Sequence, residues 1–387
     1  MKRYRIAYIT LADANDRNTW SGTNYYLLQS IRKHLGHVNV LSPLKGGWRY
    51  RLASLINLFS LKFTGKRINY RDSFFLAKGY SKKIDRFLKK NYYDLIIAPA
   101  GTATLADLKN NIPSIYINDR SVPSGFNYHP ILSHLTQKSK QISLLCEAKA
   151  ISRAFLTVYS SPWAAEAAKS YYRESSQKIS CIPFGANLDT APEFIETKEL
   201  DAKTIRLLFI GVKWLEKGGD IAYETLQQLH NEGKSAQLHI VGVTPPKEIL
   251  ENRHVISYGY LSKNDPTQFD TMKSLFRQSD FFILPTRFEA YGLVFCEAAS
   301  YGLPALATDT GGISAIIENR KTGILLTQDK RGDAYAAEIM ELVQNPEGYS
   351  QMRKAARKRY EEVLNWDAFG LSLKQKVDDY FTSKRLL

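Results

Sequence analysis

Cysteine is scarce in this chain: three residues among 387, at positions 146, 181 and 296. Their scattered spacing fits neither a zinc site nor a disulfide framework, and it favours a reducing compartment. No run approaches the roughly 18 consecutive apolar residues that cross a bilayer, so no spanning helix is predicted. The first residues carry the positive flank of a signal peptide. Their apolar part is short and alternating, however, and the polar stretch Asp13 to Asp16 follows at once. A first β-strand is therefore predicted there. No Asp-x-Asp pair stands at a predicted strand end and no lysine-based cofactor motif is legible. Neither a metal nor a cofactor is expected, and a pyridoxal-phosphate phosphorylase is disfavoured. Zinc fingers and RNA-binding aromatic signatures are missing too, which removes nucleic acid from the expected partners.

Acidic residues are scarce in one segment. Between Lys45 and Lys90 thirteen Lys/Arg face two Asp/Glu, a surplus of eleven within a chain of net charge +15. Aromatic and apolar residues alternate with these charges, and Ile56, Phe59, Leu61 and Phe63 are placed on a helical face beside Arg51, Lys62 and Lys66. The segment reads as a basic amphipathic helix for an anionic membrane surface, or as a solvated basic face over ordinary core. Each cation near an anionic leaflet contributes about 1 kcal/mol, so the surplus suffices for peripheral attachment at the inner membrane face of the cytoplasm.

What the chain does have is the material for two α/β domains. Hydrophobic residues make up 44%, enough for each half to bury a core. Strands at 5–10, 38–41, 95–99, 114–118 and 154–160 alternate with helices in the first half. Strands at 205–211, 237–241, 255–258, 280–286 and 305–308 do so in the second. Such alternation predicts parallel sheets covered by helices on both faces. The polar, aperiodic stretch Asn187 to Lys203 is the predicted linker. The predicted domains are 1–190 and 200–365, with 366–387 as a terminal helix.

The most informative stretch is Arg287 to Glu297. A buried strand leads into a loop carrying Glu289, and a helix from Leu293 to Tyr301 carries Glu297, stopped by Gly302 with Pro304 beyond. Glu289 thus sits at the carboxyl end of a parallel strand, where open sheets place ligands. The helix N-terminus points free N–H groups into the same place, which suits an anion. Two hydroxyl acceptors around an anion cradle form a seat for a sugar on a diphosphate. Spacing alone fits solvated surface glutamates equally well. Lys213 and Lys217, four apart after another strand, are placed to reach one anion, and Gly22 precedes the first helix where the backbone can approach a phosphate.

These stretches resemble the retaining glycosyltransferases of family 4, with their glutamate-x7-glutamate motif. The resemblance runs from about Arg5 to Trp366 and is dense in the second half. It implies α/β architecture of the GT-B type: two Rossmann-like doubly wound domains facing a central cleft, with the C-terminal helix returning to the first domain. It implies transfer of a hexose from a nucleotide-diphosphate sugar, UDP- or GDP-linked, to a glycan or lipid-linked acceptor. The second domain would take the donor, the first the acceptor, and cleft closure would exclude water. Carried over residue by residue, Glu289 meets the sugar hydroxyls together with the backbone of Ala290, Tyr291, Gly292 and Leu293, and Glu297 meets the ribose. Tyr260 and Leu261 lie where backbone groups hold the base. Lys217 matches the motif lysine. The motif arginine position is Val212, leaving Lys213 to do its work, and Gly22 is half of the usual glycine pair. The family histidine after the fourth strand has no counterpart in Tyr116 to Arg120. Asp119 is the ionisable group placed to orient a sugar hydroxyl, and His129 is expected in a loop. A nucleotide-sugar epimerase, a phosphorylase or an inactive nucleotide-sugar-binding membrane scaffold are the alternatives.

Overall fold

The computed structural model describes residues 3–384 apart from 130–131, 197–199 and 201–203. It divides into two units, Met1–Pro183 with Phe369–Leu387, and Phe184–Ala368. Each is built on one six-stranded parallel sheet, as the alternating pattern predicts.

In the first unit the strands are β1 (Tyr4–Ile9), β2 (Gly36–Leu41), β3 (Leu95–Pro99), β4 (Ser114–Asn118), β5 (Leu156–Tyr159) and β6 (Ile179–Cys181). Their order across the sheet is β2-β1-β3-β4-β5-β6. Ile6, Ile96, Ile97, Ile115 and Val158 are fully buried, because a parallel sheet is covered on both faces. The order reverses between β1 and β3, so the loops after these strands open a crevice at their carboxyl ends. The last helix, Trp366–Ser383, packs on this unit from Phe369 onward. The Tyr4 phenol donates to Asp378 at 2.6 Å, and Phe155 stacks on Tyr380 with ring centroids 3.8 Å apart.

One buried carboxylate fixes the segment that carries Asp119. Glu147 is fully buried and accepts from the phenols of Tyr116, Tyr159 and Tyr172 and from the Val122 amide, at 2.7–3.1 Å. Burial outweighs the opposing pull of the Val122 amide and the Tyr172 and Tyr159 phenols and pushes its pKa up to about 7. The folded state therefore holds a proton that the unfolded chain has lost, so this group's contribution is full below the ordinary carboxylate range. It is lost as pH rises to about 7, by on the order of 3 kcal/mol. Glu147→Gln is expected to flatten that part of the stability profile. Chemical unfolding at pH 5 and pH 8 checks it, and parallel profiles for variant and wild type would refute it.

Helix Gly47–Thr64 follows β2 and buries only Ala53. The basic segment does form a helix, but its apolar face differs from the sequence expectation. At about 100° per residue, Trp48, Leu52, Leu55, Phe59 and Phe63 fall within one stripe about 80° wide, and Leu61 lies on the far side. All five stripe residues are exposed, from 42% at Leu52 to 75% at Phe63. Local alternation of charges and aromatics did not show which side of this helix meets the core.

The second unit contains β7 (Ile205–Ile210), β8 (Ala236–Val241), β9 (Val255–Ser257), β10 (Phe281–Leu284), β11 (Ala305–Thr308) and β12 (Gly323–Leu326). Their order is β12-β11-β10-β7-β8-β9. Of the predicted linker, residues 187–196 form neither helix nor strand. Residues 197–199 and 201–203 lie outside the described residues. Arg353 and Arg357 donate to the carbonyls of Ile195 and Pro192 at 2.9 and 2.8 Å, tying the segment to helix Pro346–Glu362.

Candidate active site

In the second unit the order reverses between β7 and β10, so the loops after these two strands lie side by side at the switch point. The first runs from Gly211 to helix Gly219–Asn231 and carries Lys213 and Lys217. Gly218 has φ +75°, and a Cβ there would stand 1.9 Å from the Pro285 carbonyl oxygen of the second loop. Only glycine allows that approach. It brings Lys217 Nζ to 2.5 Å from Glu289 Oε2, with both side chains 18% exposed. Sequence spacing had paired Lys217 with Lys213; Lys213 instead holds Glu216 at 2.7 Å in the open.

Gly292 caps helix Leu293–Ser300 in the left-handed conformation, φ +98°. Glu297 follows in the second turn and is almost wholly buried, its carboxylate paired with Lys263. Burial raises its pKa, and Lys263 and the Asn187 amide pull the other way. Lys263 escaped sequence reasoning because it lies in the loop after β9, far from Glu297 in the chain and outside any local motif. Tyr291 is buried, its phenol donating to the Phe184 carbonyl at 2.8 Å, so only its backbone remains for a ligand. Ala290 and Leu293 are half-buried. Tyr260 is exposed, with Leu261 beside it, directly after Gly259 at φ +64°. A further network was also invisible in sequence. Arg287 and Arg331 both hold Asp220, at 2.7 and 3.1 Å. Burial would raise the Asp220 pKa, but the two guanidiniums hold it below its ordinary value.

The first unit has its own cavity, of about 330 Å³, at the carboxyl ends of β1, β3 and β4; Trp20, Asn24, Arg71, Asp119, Arg120 and His129 are among its lining. Trp20, Ser21 and Gly22 take positive φ in succession, 51°, 55° and 92°. For the two non-glycine residues this costs about 1–2 kcal/mol each. The Trp20 indole N–H donates to Asp119 at 2.8 Å, which helps hold the loop in place. His129, expected only as a loop residue, lines the same cavity as Asp119. Nothing in their local sequence joins residues 20, 119 and 129; the sheet order does.

Two parallel α/β units of these strand orders, with the last helix packed on the first, form the GT-B fold. Solved structures agree: sucrose-phosphate synthase from Thermosynechococcus elongatus aligns over 98% of this chain and 100% of its own, at TM-score 0.68 and 18% identity. The Anabaena protein HepE, solved in complex with UDP and glucose, aligns over 98% and 100%, at TM-score 0.60 and 13% identity. Residues 191–359 match the family described as glycosyl transferases group 1. A glycogen synthase of Mycobacterium tuberculosis (strain CDC 1551 / Oshkosh) is 26% identical over 185 residues, 46% of this chain and 43% of the relative. This chain thus spans under half the length of that curated relative.

Proposed function

We propose that this protein is a retaining glycosyltransferase of family 4 that moves a hexose from a nucleotide-diphosphate sugar to a glycan or lipid-linked acceptor. The observation that carries the reading is the Lys217–Glu289 pair at the switch point of the second sheet. An ammonium and a carboxylate held together at strand ends offer both charges that a sugar diphosphate needs. Lys217 neutralises the diphosphate as the anomeric C–O bond breaks. Glu289 accepts from the sugar hydroxyls, and Glu297 takes the ribose. The new C–O bond forms to an acceptor hydroxyl, whose proton passes to an oxygen of the departing diphosphate. Asp119, which lines the cavity of the first unit, orients a sugar hydroxyl there. UDP is the favoured nucleotide, since the similarly folded Anabaena protein was solved with it.

The reading extends to cell-surface polysaccharide assembly on the inner membrane face of the cytoplasm. The exposed stripe of helix Gly47–Thr64, beside Arg51 and Lys62, supports docking there. Among the described residues no helix is long and apolar enough to cross a membrane. Binding to anionic vesicles at low salt, weakening as salt rises, is the expected behaviour. Indifference to such vesicles would remove the membrane assignment.

Thermal unfolding with UDP, GDP, ADP and their sugars tests the donor site, because a ligand bound only to the folded state raises apparent stability. UDP and its sugars are expected to raise the midpoint. No response to any nucleotide at millimolar concentration would defeat the proposal. Glu297→Gln is expected to weaken donor binding by about 1–3 kcal/mol, the order for a hydrogen bond to a charged group, with little effect on saturated turnover. Calorimetric titration of UDP against both proteins measures it.

A further inference from the structure

A second cavity, of about 500 Å³, adjoins the polar one in the first unit, and Leu11, Ala12 and Arg71 line both. The two differ in chemistry. The polar cavity mixes Arg71, Arg120 and His129 with Asp72 and Asp119, a setting for neutral hydroxylated groups. The second holds three cations, Lys45, Arg51 and Arg71, and no carboxylate. Its apolar lining includes Leu44, Leu76 and Tyr80, each buried to within 3%. The Arg71 guanidinium lies close to the phenols of Tyr50 and Tyr70, which hydrogen-bond to each other at 3.3 Å, and Arg71 lines both cavities where they meet.

Arg51 lies on helix Gly47–Thr64, and Leu55 and Leu58 follow it at four and seven residues on the same side. Both are more than half exposed, at 52% and 57%. The helix has 18 residues and is about 27 Å long. A polar cavity, a cationic cavity with apolar walls and an exposed apolar helix therefore succeed one another along the first unit.

We infer that the acceptor is an amphiphile whose hydroxylated end enters the polar cavity, whose phosphate sits among Arg71, Lys45 and Arg51, and whose hydrocarbon chain runs along helix Gly47–Thr64. This rests on the glycosyltransferase reading and narrows its acceptor to a lipid phosphate ester. The headgroups of a bilayer need only a flat basic surface. A concave cationic site with an apolar wall, sharing Leu11, Ala12 and Arg71 with a polar cavity, fits a single phosphate joined on one side to hydroxyls and on the other to a chain.

Calorimetric titration with n-octyl phosphate, n-octanol and inorganic phosphate, all below micelle-forming concentration, tests the inference, with UDP titrated into the same preparations. Octyl phosphate is expected to bind about tenfold or more tightly than either fragment, the order for a charge-assisted contact. Arg71→Gln and Lys45→Gln are expected to remove that advantage while octanol and UDP affinities hold. Leu55→Asn with Leu58→Asn is expected to weaken octyl phosphate and leave inorganic phosphate unchanged. Equal binding of octanol and octyl phosphate would overturn the phosphate seat, and equal binding of inorganic phosphate would overturn the chain path. UDP binding without octyl phosphate binding would sink the acceptor inference alone. Octyl phosphate binding without UDP binding would sink the donor reading and keep the amphiphile site.

Discussion

Glu289→Gln is expected to lower transferase turnover by about 100-fold or more, the order found when a preorganised partner of the reacting group is removed. The substitution keeps the side chain's shape. It removes the charge that faces Lys217 at 2.5 Å, and it places an amide where sugar hydroxyls require an acceptor. That acceptor matters most as positive charge builds at the anomeric carbon. The loss is therefore expected mainly in kcat, with KM for the donor changing less. Steady-state kinetics with a saturating donor separates the two. Full turnover in the variant would show that the Lys217–Glu289 pair is not the reacting centre.

Gly218→Ala is expected to have the next largest effect, and by a different route. A methyl group there meets the Pro285 carbonyl oxygen at 1.9 Å, in a backbone conformation with φ +75°. The left-handed conformation costs about 1–2 kcal/mol with a side chain. Overpacking adds about 1–3 kcal/mol. The loop relieves the clash by withdrawing from the end of β10, which carries Lys217 away from Glu289. Lower stability and loss of UDP binding should therefore appear together, in chemical unfolding and in titration of one preparation. A stable variant that binds UDP normally would show that the close approach of the two loops is not required.

Much of the architecture is legible in the sequence because it rests on local regularities. Apolar runs such as Leu95–Pro99 and Phe281–Leu284 are buried on both faces, and uninterrupted hydrophobicity is how such strands appear in sequence. The glycine before helix Leu293–Ser300 and the glutamate in its second turn are equally local features. The basic helix was legible as a helix. Its exposed face was not, because the charges and aromatics are spread around most of its circumference.

The chain by itself thus determined two α/β halves, the loop carrying Glu289 and the concentration of positive charge in the first half. Only the tertiary structure decided which charges meet. Lys217 lies beside Glu289, Lys263 beside Glu297, and Trp20 beside Asp119. Each of these contacts joins segments from different strand ends, and strand order, which local periodicity does not encode, sets which ends become neighbours. The same holds for the cationic cavity. Lys45, Arg51 and Arg71 are three unremarkable charges in a basic segment until the packing of helix Gly47–Thr64 gathers them around one apolar space.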